Sequence, residues 1–228
     1  MFGFLTARKL VLGVSLGAMV AMVGLRGVSS VKADDARPDE SKKIVLFDGK
    51  DTSQWDSNDW PVEDGVMVSA KHDIRTKEKF KDYQLHIEFN EPELGPEFKG
   101  QDRGNSGVYQ QDRYELQVLD SYKNETYADG ACAAVYGIKA PAKNMAKPPG
   151  EWQTYDITFN AARYTDGKKT ANAHITVYWN GELVQDNTEI PHSTGGGQKE
   201  EDTPGSIRLQ FHNHSVKFRN IWIVPTKQ

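Results

Sequence analysis

Apolar and polar residues alternate with a period of two along most of the chain. In "YQLHIEF", Tyr83, Leu85, Ile87 and Phe89 fall on one side, and Gln84, His86 and Glu88 on the other. The same rhythm runs through "YELQV" (Tyr114–Val118), "YDITF" (155–159), "AHITVYW" (Ala173–Trp179) and "SIRLQFH" (206–212). Strand side chains point alternately to two faces, so each stretch predicts a strand with one face in a core. "IVLF" (Ile44–Phe47) and "VKFRNIWIV" (216–224) predict two more. Asp64-Gly65 and Asn180-Gly181 each lie between two apolar stretches. Both dipeptides favour the type I′ hairpin, whose central residues need φ > 0. No segment keeps a helical period over three turns. Only "KHDIRTKEKFKD" (71–82) has room for a helical turn, and its charge argues for a loop. Short strands in series with no helices between them predict an all-β fold, an antiparallel two-sheet sandwich.

The pattern changes at the N-terminus. Arg8 and Lys9 precede an apolar run over 10–25, and "VKA" (31–33) supplies a small-residue cleavage site. Residues 1–33 thus read as a secretory signal peptide. At ~1.5 Å per residue the run reaches only ~24 Å, short of the ~30 Å hydrocarbon core, which argues for cleavage over anchoring. The polar stretch 34–43 reads as a flexible leader, followed by one β-sandwich domain over 44–228. The expected location is periplasmic or extracellular, with no stable membrane insertion after cleavage. Two loops interrupt the strands: 140–151, rich in Pro and Lys, and 191–205, rich in Gly and acid and linker-like. The three glycines of the second lack the strand and helix context of a phosphate loop.

Composition narrows the partners. The whole chain carries 28 basic and 32 acidic side chains. Residues 1–33 hold four bases and no acid, so their removal leaves 24 against 32, a net charge of −8. Nucleic acid is excluded as a partner on this balance, because phosphate binding rests on displacing counterions with Lys and Arg. Cys132 is the sole cysteine, so no internal disulfide forms, and "GACAAVYGI" around it predicts a buried, inert thiol.

Candidate chemistry gathers on three of the strands. Glu115 and Gln117 share a face, and Asp120 joins them only if a bulge or strand end shifts the phase. Arg208, Gln210 and His212 share another face, His86 and Glu88 a third. If these strands are neighbours, the groups line a groove suited to a sugar: carboxylates, amides and a guanidinium for hydroxyls, aromatic rings for pyranose faces. Tyr109, Tyr114, Tyr136 and Trp152 are candidate walls, the alternative being that they belong to the core. Glu115-x-Gln117-x-x-Asp120 invites comparison with the E-x-D-x-x-E strand of laminarinase-like glycosidases, where two carboxylates ~5.5 Å apart act as nucleophile and acid. Here an amide replaces the middle acid and the last carboxylate is one methylene shorter, which argues against direct displacement. "HNH" (212–214) offers two imidazoles as metal ligands. The alternative places His214 in a turn facing water and leaves His212 as the functional candidate.

A resemblance adds to this reading. "LFDGKDTSQW", "IRTKEKFKDYQLHIEF", "GNSGVY", "YELQVLDS", "GACAAVYG", "KPPGEWQTYDITF" and "GSIRLQFHNHSVKFRNIWI" occur in order. Over roughly residues 44–224 the chain resembles the 3-keto-disaccharide hydrolase family, departing from it at "LQFHNH", where the family more often shows LQ-x-H-G. The resemblance implies a concanavalin A-like jelly roll with a concave groove. It also implies cleavage of 3-keto-glycosides: a base removes the C2 proton, the C1 aglycone leaves, and water adds afterwards. On that reading Glu115 or His212 is the base, and Arg208 and Arg219 are candidates to stabilise the enolate. Asn105, Gln117 and Gln210 hold hydroxyls, with Tyr109, Tyr136 and Glu88 also on the substrate. Asp120 orients a neighbour or ligates a metal. Arg219 has an equal structural alternative, pairing with a buried carboxylate. No cofactor is required and a divalent metal stays open. The competing function is a non-catalytic carbohydrate-binding module.

Overall fold

The computed structural model describes residues 40–226, so the expected signal peptide and most of the leader lie outside the described residues. Glu40–Lys42, at the end of that leader, form a single 3-10 turn. Strands follow in the order β1 (Ile44–Phe47), β2 (Val62–Glu63), β3 (Val66–Val68), β4 (Ile74–Arg75) and β5 (Tyr83–Asn90). Then come β6 (Ser106–Gln110), β7 (Tyr114–Val118), β8 (Gln153–Asn160), β9 (Arg163–Thr165) and β10 (Lys168–Ala171). The last are β11 (Ala173–Trp179), β12 (Glu182–Ile190), β13 (Arg208–Leu209) and β14 (Lys217–Pro225).

All pairings are antiparallel. The larger sheet runs β12-β11-β8-β5-β14-β3-β2, with β1 also on β14, and the smaller runs β4-β13-β6-β7. The two pack as a sandwich around one apolar cluster in which Trp55, Trp60, Trp179, Tyr83, Tyr155, Phe89 and Phe159 are fully buried. The predicted alternation holds: Leu85, Ile87 and Phe89 of β5 are buried, while Gln84, His86 and Glu88 are partly exposed. Asp64-Gly65 and Asn180-Gly181 turn with positive φ throughout, as their hairpins require. Residues 71–82 contain β4 and no helical turn. Cys132 is buried, with Sγ 3.0 Å from the Tyr155 hydroxyl.

Register builds the outer face of the small sheet. Arg75 pairs with Arg208, Arg208 with Tyr109, and Tyr109 with Glu115. Beyond β7 the segment 133–136 continues the ladder: Leu116 bridges Val135, and the Tyr136 N–H donates to the Glu115 carbonyl at 3.1 Å. One row across the sheet is therefore Arg75, Arg208, Tyr109, Glu115, Tyr136. The next row is Gln210, Gly107, Gln117, Ala134, two amides separated by a glycine. Tyr114, Leu116 and Val118 point the other way, into the core.

Residues 191–205 are not a linker. They fold back over that outer face, where the Arg208 Nη2 donates to the Gly196 carbonyl at 2.9 Å. Thr194 Oγ1 accepts the Glu115 N–H at 2.8 Å, and Gly205 pairs with Phe80. Glycine is required at 197, where a Cβ would lie 2.0 Å from the Arg113 carbonyl oxygen.

Candidate functional site

Glu115 stands in the first row between Tyr109 and Tyr136 and is only 4% exposed. Its carboxylate leans over Gly107, where a Cβ would fall 2.5 Å from Oε1, so the glycine makes the space the carboxylate uses. Burial pushes the carboxyl up to about 7, the nearby Asp73 charge adding to the rise. The Tyr109 hydroxyl, hydrogen-bonded to it, and the Arg208 charge pull the other way. Near neutral pH this acid exists in both protonation states, the condition for moving protons efficiently.

The surrounding groups are tightly held. The Arg208 guanidinium stacks 3.5 Å over the Tyr109 ring. Its Nε lies 3.0 Å from Asp112 Oδ1, but the N–H is not aimed at that oxygen, so the pair is an ion contact rather than a hydrogen bond. Asp112 also binds Arg75 at 2.8 Å and thus sits between two guanidinium groups. The Tyr109 hydroxyl donates to the Gly195 carbonyl at 3.1 Å. Gln210 Nε2 donates to the same hydroxyl at 3.3 Å.

Two acceptors are left open. Gln117 Oε1 and Gln210 Oε1 are buried with no hydrogen-bond partner, flanking Gly107 in the second row. An unpaired buried carbonyl is costly and is found where something else is meant to donate to it. Gln117 Nε2 is used: it donates to Gln101 Oε1 at 3.0 Å and more weakly to the Gly130 carbonyl. Asn105 Nδ2 donates to the Gln101 carbonyl at 2.8 Å. Gln101, which sequence patterning did not single out because it lies outside the strands in a short 3-10 turn (Gly100–Asp102), ties Asn105, Gln117, Thr126 and Gly130 together. Tyr127, also outside the strands, was missed for the same reason. Its hydroxyl lies 2.5 Å from that of Tyr136 at the edge of the site.

Several expected members are elsewhere. Glu88 and Arg219 pair at 2.6 Å on the outer face of the large sheet, with the core between them and Glu115. The guanidinium of Arg219 stacks on Trp152, which removes that ring from the walls of the groove. His86, on the same far face, binds Asp156 at 2.6 Å and stacks on Trp222. The expectation of three neighbouring strands therefore fails for β5: alternation gives the face of a strand but not the sheet it joins. Tyr114 is a core ring against Phe159, although its hydroxyl reaches Glu200 at 2.7 Å.

Asp120 lies past the end of β7 and binds Arg103 at 2.7 Å beneath Gly104, beside Glu91. It braces that loop rather than joining the Glu115 face. The two imidazoles of 212–214 also separate. His214 is buried against Phe98, with Nε2 3.2 Å from Asp102, contrary to the expected solvent-facing turn. His212 is exposed, three residues beyond β13. Among the described residues, no three side chains of His, Cys, Asp and Glu are grouped so as to hold a metal ion.

Solved structures share this architecture. A candidate glycosyl hydrolase from Parabacteroides distasonis is 40% identical, with 82% of this chain and 84% of that one covered and a TM-score of 0.76. A second from the same organism is 26% identical, covering 81% of this chain and all of the other at a TM-score of 0.57. No curated protein matches the chain. Residues 42–224, nearly all of the described sandwich, match the 3-keto-alpha-glucoside-1,2-lyase-like domain, and the chain belongs to that family of carbohydrate-active, glycosyl hydrolase-like proteins.

Proposed function

We propose that this protein cleaves 3-keto-glycosides by elimination across C1 and C2, with Glu115 as the base. The observation that carries the reading is a buried carboxyl poised at about 7 over Gly107, beside two unpartnered amide oxygens. A 3-keto sugar ring lying between Gln117 and Gln210 would satisfy both oxygens with its hydroxyls. Glu115 takes the C2 proton, and the C–H electron pair becomes the C2=C3 bond of an enolate with its charge on O3. The fixed charge of Arg208 favours that oxyanion without reorganising. The enolate then returns to the ketone and expels the C1–O bond as C1=C2 forms. The leaving oxygen acquires a proton, and water adds across the new double bond, hydroxyl to C1 and hydrogen to C2.

This route needs no nucleophile and acid at fixed spacing, which fits Gln117 and the removal of Asp120 from the face. His212, open to water beyond the strand end, is not needed as the base. Export belongs to the same proposal, and mass spectrometry of secreted protein beginning near Asp34 would support it.

The test measures aglycone release from a 3-keto aryl glucoside and from the unoxidised glycoside. Release from the keto sugar alone, falling about 10²–10⁴-fold in Glu115→Gln, is expected for loss of a general base. No release together with measurable sugar binding would favour a carbohydrate-binding module. Equal turnover of both substrates would sink the elimination.

A further inference from the structure

Tyr127 has not been given a role, and it is one of three large apolar or aromatic side chains left exposed among the described residues, at 49%. Its placement is built rather than incidental. The ring lies against Gly130, where a Cβ would fall 2.0 Å from it, so a side chain at residue 130 would push the ring out of this position. The Gly130 carbonyl accepts from Gln101 at 2.8 Å and Thr126 Oγ1 from the same Nε2, so the loop carrying Tyr127 is tied to the amide cluster beside Gln117. The hydroxyl is fixed to that of Tyr136, whose ring stands edge-on at 67°. Tyr136 is the cross-strand neighbour of Glu115, so Tyr127 extends the catalytic row outward by one residue.

The direction of the leaving group follows. C1 is bonded to C2, so the departing oxygen sits on the carbon next to the one that Glu115 deprotonates. Residues 195–196 close over the row from Arg208 through Tyr109 as far as the Tyr136 ring, which a Cβ at residue 195 would meet at 3.6 Å. The exposed side is that of Tyr127. We propose that Tyr127, positioned by Tyr136 and Gly130, is the platform for the leaving group and makes the enzyme selective for aglycones with a flat ring face, aryl or pyranosyl, over small alkyl alcohols. Ring faces pack on tyrosine with both apolar contact and a preferred geometry. Burial and the hydrogen bond to Tyr136 push the Tyr127 hydroxyl up to about 12, so it stays protonated at working pH.

This rests on the elimination reading, and the experiment separates the two. Steady-state kinetics compare 3-keto-glucosides bearing 4-nitrophenyl, glucosyl and methyl leaving groups, in wild type, Tyr127→Phe and Tyr127→Ala. Tyr127→Ala is expected to raise KM about tenfold for the aryl and glucosyl substrates while leaving methyl unchanged, and Tyr127→Phe to keep most of the selectivity. A KM effect on one ringed leaving group alone would narrow the platform to that group. Titration calorimetry with the unoxidised aryl and methyl glucosides reads the same subsite without turnover. If the protein cleaves none of the keto sugars, a binding preference for the aryl ligand that is lost in Tyr127→Ala keeps the platform and overturns only the elimination. Equal loss on the methyl substrate, unchanged selectivity in Tyr127→Ala, or the absence of any aryl preference in both measurements overturns the platform.

Discussion

The value of Glu115 to a catalyst depends on the charge and space around it. Because burial raises its carboxyl to about 7, kcat/KM is expected to climb with pH through the region of 7 as the base form appears. Arg208 holds that carboxyl down, so Arg208→Gln should move the acid limb to higher pH as well as slow turnover; an unmoved limb would show that the two charges are not coupled. Gly107 supplies the space. A methyl group in Gly107→Ala would lie within 2.5 Å of Glu115 Oε1 and displace the carboxylate. Because an ångström of misplacement costs on the order of 10²-fold, kcat should fall by about that much while thermal unfolding shifts little. A variant of full activity would mean that the carboxylate works from another position.

Residues 191–205 close the site because glycine lets their backbone approach the sheet. Gly196 has φ of +71° and a Cβ there would meet the Tyr109 hydroxyl at 3.2 Å; at Gly197 the obstacle is main chain. Gly197→Ala therefore cannot be absorbed by a side-chain shift. It should cost roughly 1–3 kcal/mol as an overpacked contact and loosen the loop. Faster tryptic cleavage after the exposed Lys199, with reduced kcat/KM, is the expected outcome, and cleavage at the wild-type rate would show that the loop does not rest on this contact. The turn between β6 and β7 serves the site from the other side. Gln111 and Asp112 both adopt positive φ without a glycine, and Asp112 is thereby placed between Arg75 and Arg208.

The two outer faces of the sandwich differ in kind. On the large sheet, Glu88, Arg219, Asn220, His86 and Asp156 form a lattice in which the polar groups bond one another. Arg219→Ala should leave kcat unchanged and cost at most about 1 kcal/mol, since that pair is partly exposed. A large loss of activity would return Arg219 to the reaction. Between the sheets, Glu91 is fully buried, and burial raises it to about 8. It is protonated in the folded state and ionised in the unfolded chain above about 4.5, so the unfolded state binds fewer protons and stability falls as pH rises towards 8. The limiting slope is about 1.4 kcal/mol per pH unit. Glu115, raised to about 7, is only half ionised at pH 7 and adds to the fall just above it, so in Glu91→Gln the fall in Tm between pH 7 and 8 should become shallower, leaving the smaller share that belongs to Glu115. An unaltered slope would place the titration elsewhere.

Alternation and turn residues made the strands, the hairpins at Asp64-Gly65 and Asn180-Gly181 and the buried Cys132 readable along the chain, because each depends on neighbours in sequence. The pairing of Glu115 with Gln117, and of Arg208 with Gln210, was readable for the same reason: side chains two apart on a strand share a face. The ordered segments placed the family. Which strands lie side by side depends on pairing across the sandwich, and this separated Glu88 and Arg219 from Glu115 although all three stand on polar faces. Local pattern was also silent on loops. The folding of 191–205 over the sheet, the exchange of burial between His212 and His214, and the positions of Gln101 and Tyr127 rest on contacts between distant residues, such as Asp102 with His214. Burial did the remaining work. The sequence identifies Glu115 as a carboxylate on a strand, but the low-dielectric enclosure that raises its pKa comes from elements more than seventy residues away.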